Sequence, residues 1–175
     1  MSMEKPEFLY HGSPNKKIEI IEPRKKFIRD KDEGAKVFAG AENIAAMFMT
    51  RFGDSMTQIG THNGVPCVVI RDRNHFFKKD KGGAIYKVHS EKFENDPERP
   101  FGRNEWTSDQ PVEPIDKEEF ESSLTAMLDK GVQVYFVDKK TFYKYKYTNK
   151  GEEGLNMLKG IQSENEKRNI NIREF

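Results

Sequence analysis

Short apolar runs with a period of two recur along this chain more often than helical ones, and polar or charged stretches separate them. Residues 7–12 read as a first strand, stopped by Pro14. Residues 17–22 read as a second, closed by Pro23, and 24–29 as a basic loop. Residues 36–39 give a third short strand. Over 41–52, Ile44, Ala45, Phe48, Met49 and Phe52 recur on one helical face, with Gly53 as the stop. Residues 56–61 and 65–71 read as strands around a His62-Asn63-Gly64 turn. A charged loop follows over 71–81, then strands over 84–89 and 104–108. Asp116 and Glu119 make a capping-box pattern ahead of Phe120, Leu124, Met127 and Leu128, a helix ending at Lys130-Gly131. Residues 132–137 form the most β-prone segment. Residues 141–147, with Tyr143, Tyr145 and Tyr147 in alternation, read as its antiparallel edge partner. From Lys150 the pattern is that of a polar helix or a fraying tail.

Many short strands, one helix after the third and another near the end, predict an α+β fold with antiparallel or mixed sheets. The chain has 175 residues, enough for one domain with a real core, here assigned to 1–150 with 151–175 as a C-terminal helix or tail. Charged residues reach 34%, but 13 Phe and 6 Tyr supply large apolar areas to bury. The 30 Lys+Arg against 29 Asp+Glu leave no global field toward nucleic acid or a membrane. Cys67 is the single cysteine, so an intrachain disulfide and a thiolate zinc site are both excluded, and its apolar setting predicts a buried, inert thiol. His62, His75 and His89 lack paired ligand spacing, so no metal site is expected. Residues 1–6 carry no apolar signal region and no run reaches transmembrane length, which predicts a soluble, cytoplasmic protein.

Candidate chemistry begins at Tyr10-His11-Gly12-Ser13. A strand delivers an imidazole, glycine lets another molecule approach the backbone, and Ser13 adds a hydroxyl. Downstream, Val37-Phe38-Ala39-Gly40 leads into the predicted helix, and Asn104-Glu105-Trp106 puts a carboxylate on a later strand. Taken together these resemble the ADP-ribosyltransferase fold, in which diphtheria-type toxins, poly(ADP-ribose) polymerases and rifampicin ADP-ribosyltransferases bind NAD. Asn104-Glu105-Trp106 looks like the Asn-Glu-Tyr of the polymerases. The stretch from Ile85-Tyr86-Lys87-Val88 to Phe93-Glu94-Asn95-Asp96-Pro97 is similar to the rifampicin-modifying enzymes and sets Asn95 or Asp96 at the acidic position instead. The resemblance covers roughly the first two-thirds of the chain and assigns nothing after Asp116. Phe38 departs from the usual Tyr, keeping the aromatic face and losing the hydroxyl.

The resemblance implies two small antiparallel or mixed sheets around a cleft with flanking helices. It implies that Tyr10, His11, Gly12 and Ser13 border an NAD site, with Gly12 taking the carboxamide and Phe38 stacking on nicotinamide. Glu105, with Asp96 as the competing acid, would stabilise the oxocarbenium character that develops when the nicotinamide–ribose bond breaks. Arg24 or Arg29 would grip the pyrophosphate bidentately. The acceptor of ADP-ribose, whether protein, nucleic acid or small molecule, stays open, and no membrane partner is expected. Three alternatives accompany this reading: a catalytically silent NAD- or nucleotide-binding module, an NAD-using enzyme of the RNA 2'-phosphotransferase type, and hydrolysis of NAD with water as the acceptor.

Overall fold

Successive side chains of the first strand point to opposite faces of its sheet, which divides Leu9 and Tyr10 between two cores and sets the layout of the rest. The computed structural model describes residues 4–28, 31–50, 55–62, 65–95, 104–147 and 172–174. In chain order these form β1 (Phe8–Ser13), β2 (Arg24–Ile28), β3 (Lys31–Gly40), α1 (Glu42–Phe48), β4 (Thr57–His62), β5 (Val65–Arg71), α2 (Arg73–Lys79) and β6 (Gly83–His89). They continue with β7 (Glu94–Asn95), β8 (Glu105–Ser108), β9 (Asp116–Phe120), α3 (Ser123–Asp129), β10 (Gln133–Val137), α4 (Lys139–Tyr147) and β11 (Ile172–Glu174). The α+β class is as the sequence predicts. One sheet runs β7-β8-β3-β1-β6-β9, with β2 paired to β3, and its pairings are antiparallel. The other runs β11-β10-β5-β4 and is mixed: β4 and β5 are antiparallel, whereas β10 lies parallel to β5 and β11.

Leu9 of β1 belongs to a core with Val37, Ala39, Tyr86, Val88 and Trp106 on one face of the large sheet. Tyr10 packs on the opposite face, where Ile44, Ala45, Val68, Ile70, Met127 and Phe136 join both sheets with α1 and α3. Helix α1 lies so close on this face that a Cβ at Gly12 would overlap the Ala45 carbonyl oxygen. Lys130 fastens α1 further, standing 3.0 Å from both Glu42 and Glu118. A third cluster, Cys67, Val69, Tyr135 and Val137 with Phe142 and Tyr145, seats α4 on the outer face of the small sheet.

Several expectations are corrected. Residues 17–22 make no strand but lie against one face of the large sheet, where Ile18 and Ile21 pack on its core, and Ile21 bridges to Val112 in the connection between β8 and β9. Their backbone groups are taken elsewhere: the Ile18 N–H donates to the Tyr86 hydroxyl at 3.1 Å and the Lys17 N–H to Asn15 Oδ1 at 2.9 Å. The basic loop after Pro23 is a strand, β2, folded back on a β3 that starts at Lys31. The charged stretch over 71–81 contains α2, capped by Asp72 accepting from the His75 N–H at 3.0 Å and held by buried Phe76. The capping box at Asp116 and Glu119 is strand β9, and the true cap is Ser122, which accepts from the Thr125 N–H at 3.3 Å. The tyrosine alternation is a helix, α4, whose Thr141 N–H donates to Asp138 at 2.7 Å. Helix α1 ends at Phe48; residues 51–54 lie outside the described residues. Of the expected polar tail, 151–171 also lies outside them, and Ile172–Glu174 is a strand beside β10.

Candidate active site

The candidate site lies where two neighbouring strands part. Strand β1 pairs with β6 through six residues, but with β3 in register at Tyr10–Gly40 alone. Beyond that pair the strands diverge, and His11 spans the gap: its Nδ1 stands 2.6 Å from the Phe38 carbonyl oxygen. A carbonyl only accepts, so Nδ1 carries the proton and Nε2 is left as an acceptor in the neutral ring. His11, Gly12 and Ser13 form one side of the resulting cleft, and Val37 and Phe38 the other. The segment from Ile18 to Glu22 supplies a wall, and Phe48 of α1 an apolar end. The cleft encloses about 390 Å³, within the usual size of small-molecule sites.

Arg24 lines the cleft together with Lys36, its direct cross-strand partner on β3. Like charges set opposite each other repel, so this pair favours an anion between or above them. Lys17 joins these cations and Glu19 and Glu22 line the same cleft, so its charged lining is mixed. Ser13 is engaged locally, its Oγ accepting the Asn15 N–H at 3.1 Å.

The sequence-expected residues are thus brought together in part. His11, Gly12, Ser13, Arg24 and Phe38 share the cleft. Tyr10 faces α1, packs into the core between the sheets and does not line it. Burial and the neighbouring Glu42 carboxylate push the Tyr10 hydroxyl above its ordinary pKa. Glu105 is 3% exposed and pairs with Gly40, which pairs in turn with Tyr10. Cross-strand partners share a face, so Glu105 lies on the α1 side with Phe38, opposite to His11, and does not line the cleft. The direct partner of Phe38 on β8 is Thr107, which makes Glu105 its diagonal neighbour. Such neighbours lie about 7–8 Å apart, within reach of a long side chain and an aromatic ring. Asn95, one of the competing positions, donates its side-chain amide to the Glu105 carbonyl at 2.8 Å and so ties β7 to β8. Asp96 and Arg29 lie outside the described residues.

Lys36, Val37 and Phe48 are cleft residues that sequence reading missed. Helical periodicity signals Phe48 only as core, and the register that sets Lys36 against Arg24 follows from a hairpin no local spacing revealed. Among the described residues, no group of three or more His, Cys, Asp or Glu is arranged to hold a metal. Among them, too, no helix is long and apolar enough to cross a membrane. No protein-family model, curated protein or solved structure matches the chain.

Proposed function

We propose that this protein is an NAD-dependent ADP-ribosyltransferase whose nucleotide occupies the cleft between β1 and β3. The observation that carries the reading is the pairing of His11 with Phe38 across the strand divergence, with Glu105 diagonal to Phe38 on the adjoining strand. In this reading the Gly12 backbone meets the carboxamide, the Phe38 ring stacks on nicotinamide, and His11 Nε2 accepts from a ribose hydroxyl. Arg24 and Lys36 face the pyrophosphate. The bond between nicotinamide and ribose C1′ breaks and nicotinamide leaves with the electron pair; for Glu105, on the α1 face beside Phe38, to stabilise the positive charge on the sugar, the nicotinamide ribose must reach through the parting of β1 and β3 to that face. A nucleophile on the acceptor then forms the new bond to C1′ and gives up its proton, and Glu105 is the base within the constellation.

A second reading rests on one specific observation. His11 and Glu105 occupy opposite faces of the sheet, an arrangement that suits a module binding the nucleotide without turning it over.

The deciding experiment measures nicotinamide release from NAD by the purified chain, alongside NAD binding, for the wild type, His11→Ala and Glu105→Gln. Transferase action gives release that Glu105→Gln lowers by about 100-fold or more while binding persists, because the carboxylate acts on charge developed in the transition state. Binding without release, unchanged in Glu105→Gln, gives the silent module. Neither binding nor release in the wild type overturns both.

A further inference from the structure

The outer face of the small sheet carries a surface that the cleft does not use. Helix α4 has four lysines in nine residues and no acidic one. Phe142 and Tyr145 turn inward to the sheet. Tyr143, half-buried against the same cluster, and the exposed Tyr147 are one turn apart and stack on each other, with centroids 6.0 Å apart and planes 13° from parallel. Tyr147 is 78% exposed, the largest exposure among the described large hydrophobic residues. Cations flank the pair. Arg71, at the end of β5, sits 5.3 Å from the Tyr143 ring centre and donates to its hydroxyl at 2.7 Å. The Lys146 ammonium stands 6.0 Å and 5.8 Å from the two ring centres. Lys139 and Lys140 are exposed one turn earlier. Asp138 and Asp72, the carboxylates beside this end of the sheet, accept from the Thr141 and His75 N–H groups and cap α4 and α2.

We infer that this face binds single-stranded nucleic acid. Unpaired bases offer flat π-faces to an exposed aromatic stack, and their phosphates suit lysines arranged along one helix side. Only Tyr147 projects far into solvent while Phe142 and Tyr145 are buried, which is too little apolar area for insertion into a lipid surface. With a net charge of +1, attraction to an anionic polymer must come from this local surface rather than from the whole molecule. The inference does not depend on the NAD reading.

The test is fluorescence anisotropy of the full chain with a labelled single-stranded oligonucleotide of about ten nucleotides, titrated at several salt concentrations. Tyr147→Ala should weaken binding about tenfold. Combined Lys139→Ala, Lys140→Ala and Lys146→Ala should flatten the log–log salt dependence by about 2. A control with Lys5→Ala, Lys81→Ala and Lys92→Ala, equal in charge and exposed elsewhere, should leave both quantities unchanged. Thermal melts establish that each variant folds. Absence of binding at low salt, an equal loss in the control, equal affinity for the duplex, or stronger binding to anionic phospholipid vesicles would each overturn the inference.

Discussion

The imidazole of His11 and the main-chain oxygen of Phe38 are joined at 2.6 Å across the place where β1 and β3 part. The bond fixes the ring plane and the tautomer together, so in the neutral ring Nε2 is an acceptor and pairs with a hydroxyl rather than an anion. His11→Ala is expected to weaken NAD binding about tenfold and to lower unfolding free energy by about 1 kcal/mol. His11→Asn retains a side-chain donor toward Phe38, so it should recover stability and leave affinity low. Calorimetric titration with NAD and chemical denaturation of both variants check the two effects separately.

Gly12 answers to α1 before it answers to any ligand. Any side chain there meets the Ala45 carbonyl oxygen, a backbone atom of a packed helix that cannot swing aside. Gly12→Ala should therefore cost about 3 kcal/mol in denaturant unfolding, at the upper end for an overpacked core site. A loss of well under 1 kcal/mol would mean that α1 shifts freely, and the glycine would then need its explanation from the cleft.

The legible parts of the fold are those in which one local pattern decides the outcome. Strands β1, β5, β6 and β10 are apolar runs of strand length, and burial follows them closely. Helix α2 leaves no apolar periodicity because it is short and held mainly by Phe76, with Arg73, Asn74, Lys78 and Lys79 among its other positions. Helix α4 was misread because Tyr143, Tyr145 and Tyr147 mimic a period of two. The fully buried residues are Phe142 and Tyr145, three apart, while Tyr143 is half-buried at the margin of the same cluster and stacks on the exposed Tyr147. At Asp116 the capping-box signal lost to β6, whose edge accepts 116–120 as a five-residue antiparallel partner. His11 and Phe38 were legible as site candidates by resemblance. The opposite facing of Glu105 was not, because it depends on the register of three strands far apart in sequence.

Asp80 organises the start of α3 from outside the helix. Its carboxylate accepts the Ser123 N–H and hydroxyl at 2.7 Å each, the Ser122 hydroxyl at 2.9 Å, the Gly82 N–H at 3.0 Å and the Leu124 N–H at 3.2 Å. Burial alone would push this carboxyl up, but the hydrogen bonds from Ser123, Gly82 and Leu124 together hold it below its ordinary 3.8. The ionised form is thus favoured by folding. Its contribution is complete above pH 3.8 and is lost as pH falls below that value through the folded pKa. Asp80→Asn should destabilise the protein by about 2 kcal/mol at neutral pH. The gap to wild type should close as pH falls below 3.8, and denaturation curves measured from pH 7 down to about pH 2 check it.

Cys67 reports on whether α4 stays docked. The thiol is fully buried in β5 beneath Phe142 and Tyr145, and burial pushes its pKa up to about 12 against a lowering hydrogen bond from Gly60. Two consequences have opposite origins. Between about pH 9 and 12 the unfolded chain releases this proton while the folded one keeps it, so stability falls as pH rises through that window. At pH 8 the native thiol is both protonated and covered, so alkylating reagents should leave it unmodified for hours. The dependence of labelling on denaturant then separates two events. Labelling that rises only with global unfolding means that α4 and the small sheet open as one unit. Labelling at denaturant concentrations well below the unfolding midpoint would show α4 lifting by itself, taking Tyr143 and Tyr147 with it. Joint opening is expected, because Phe142 and Tyr145 are both completely buried against the strand that carries Cys67.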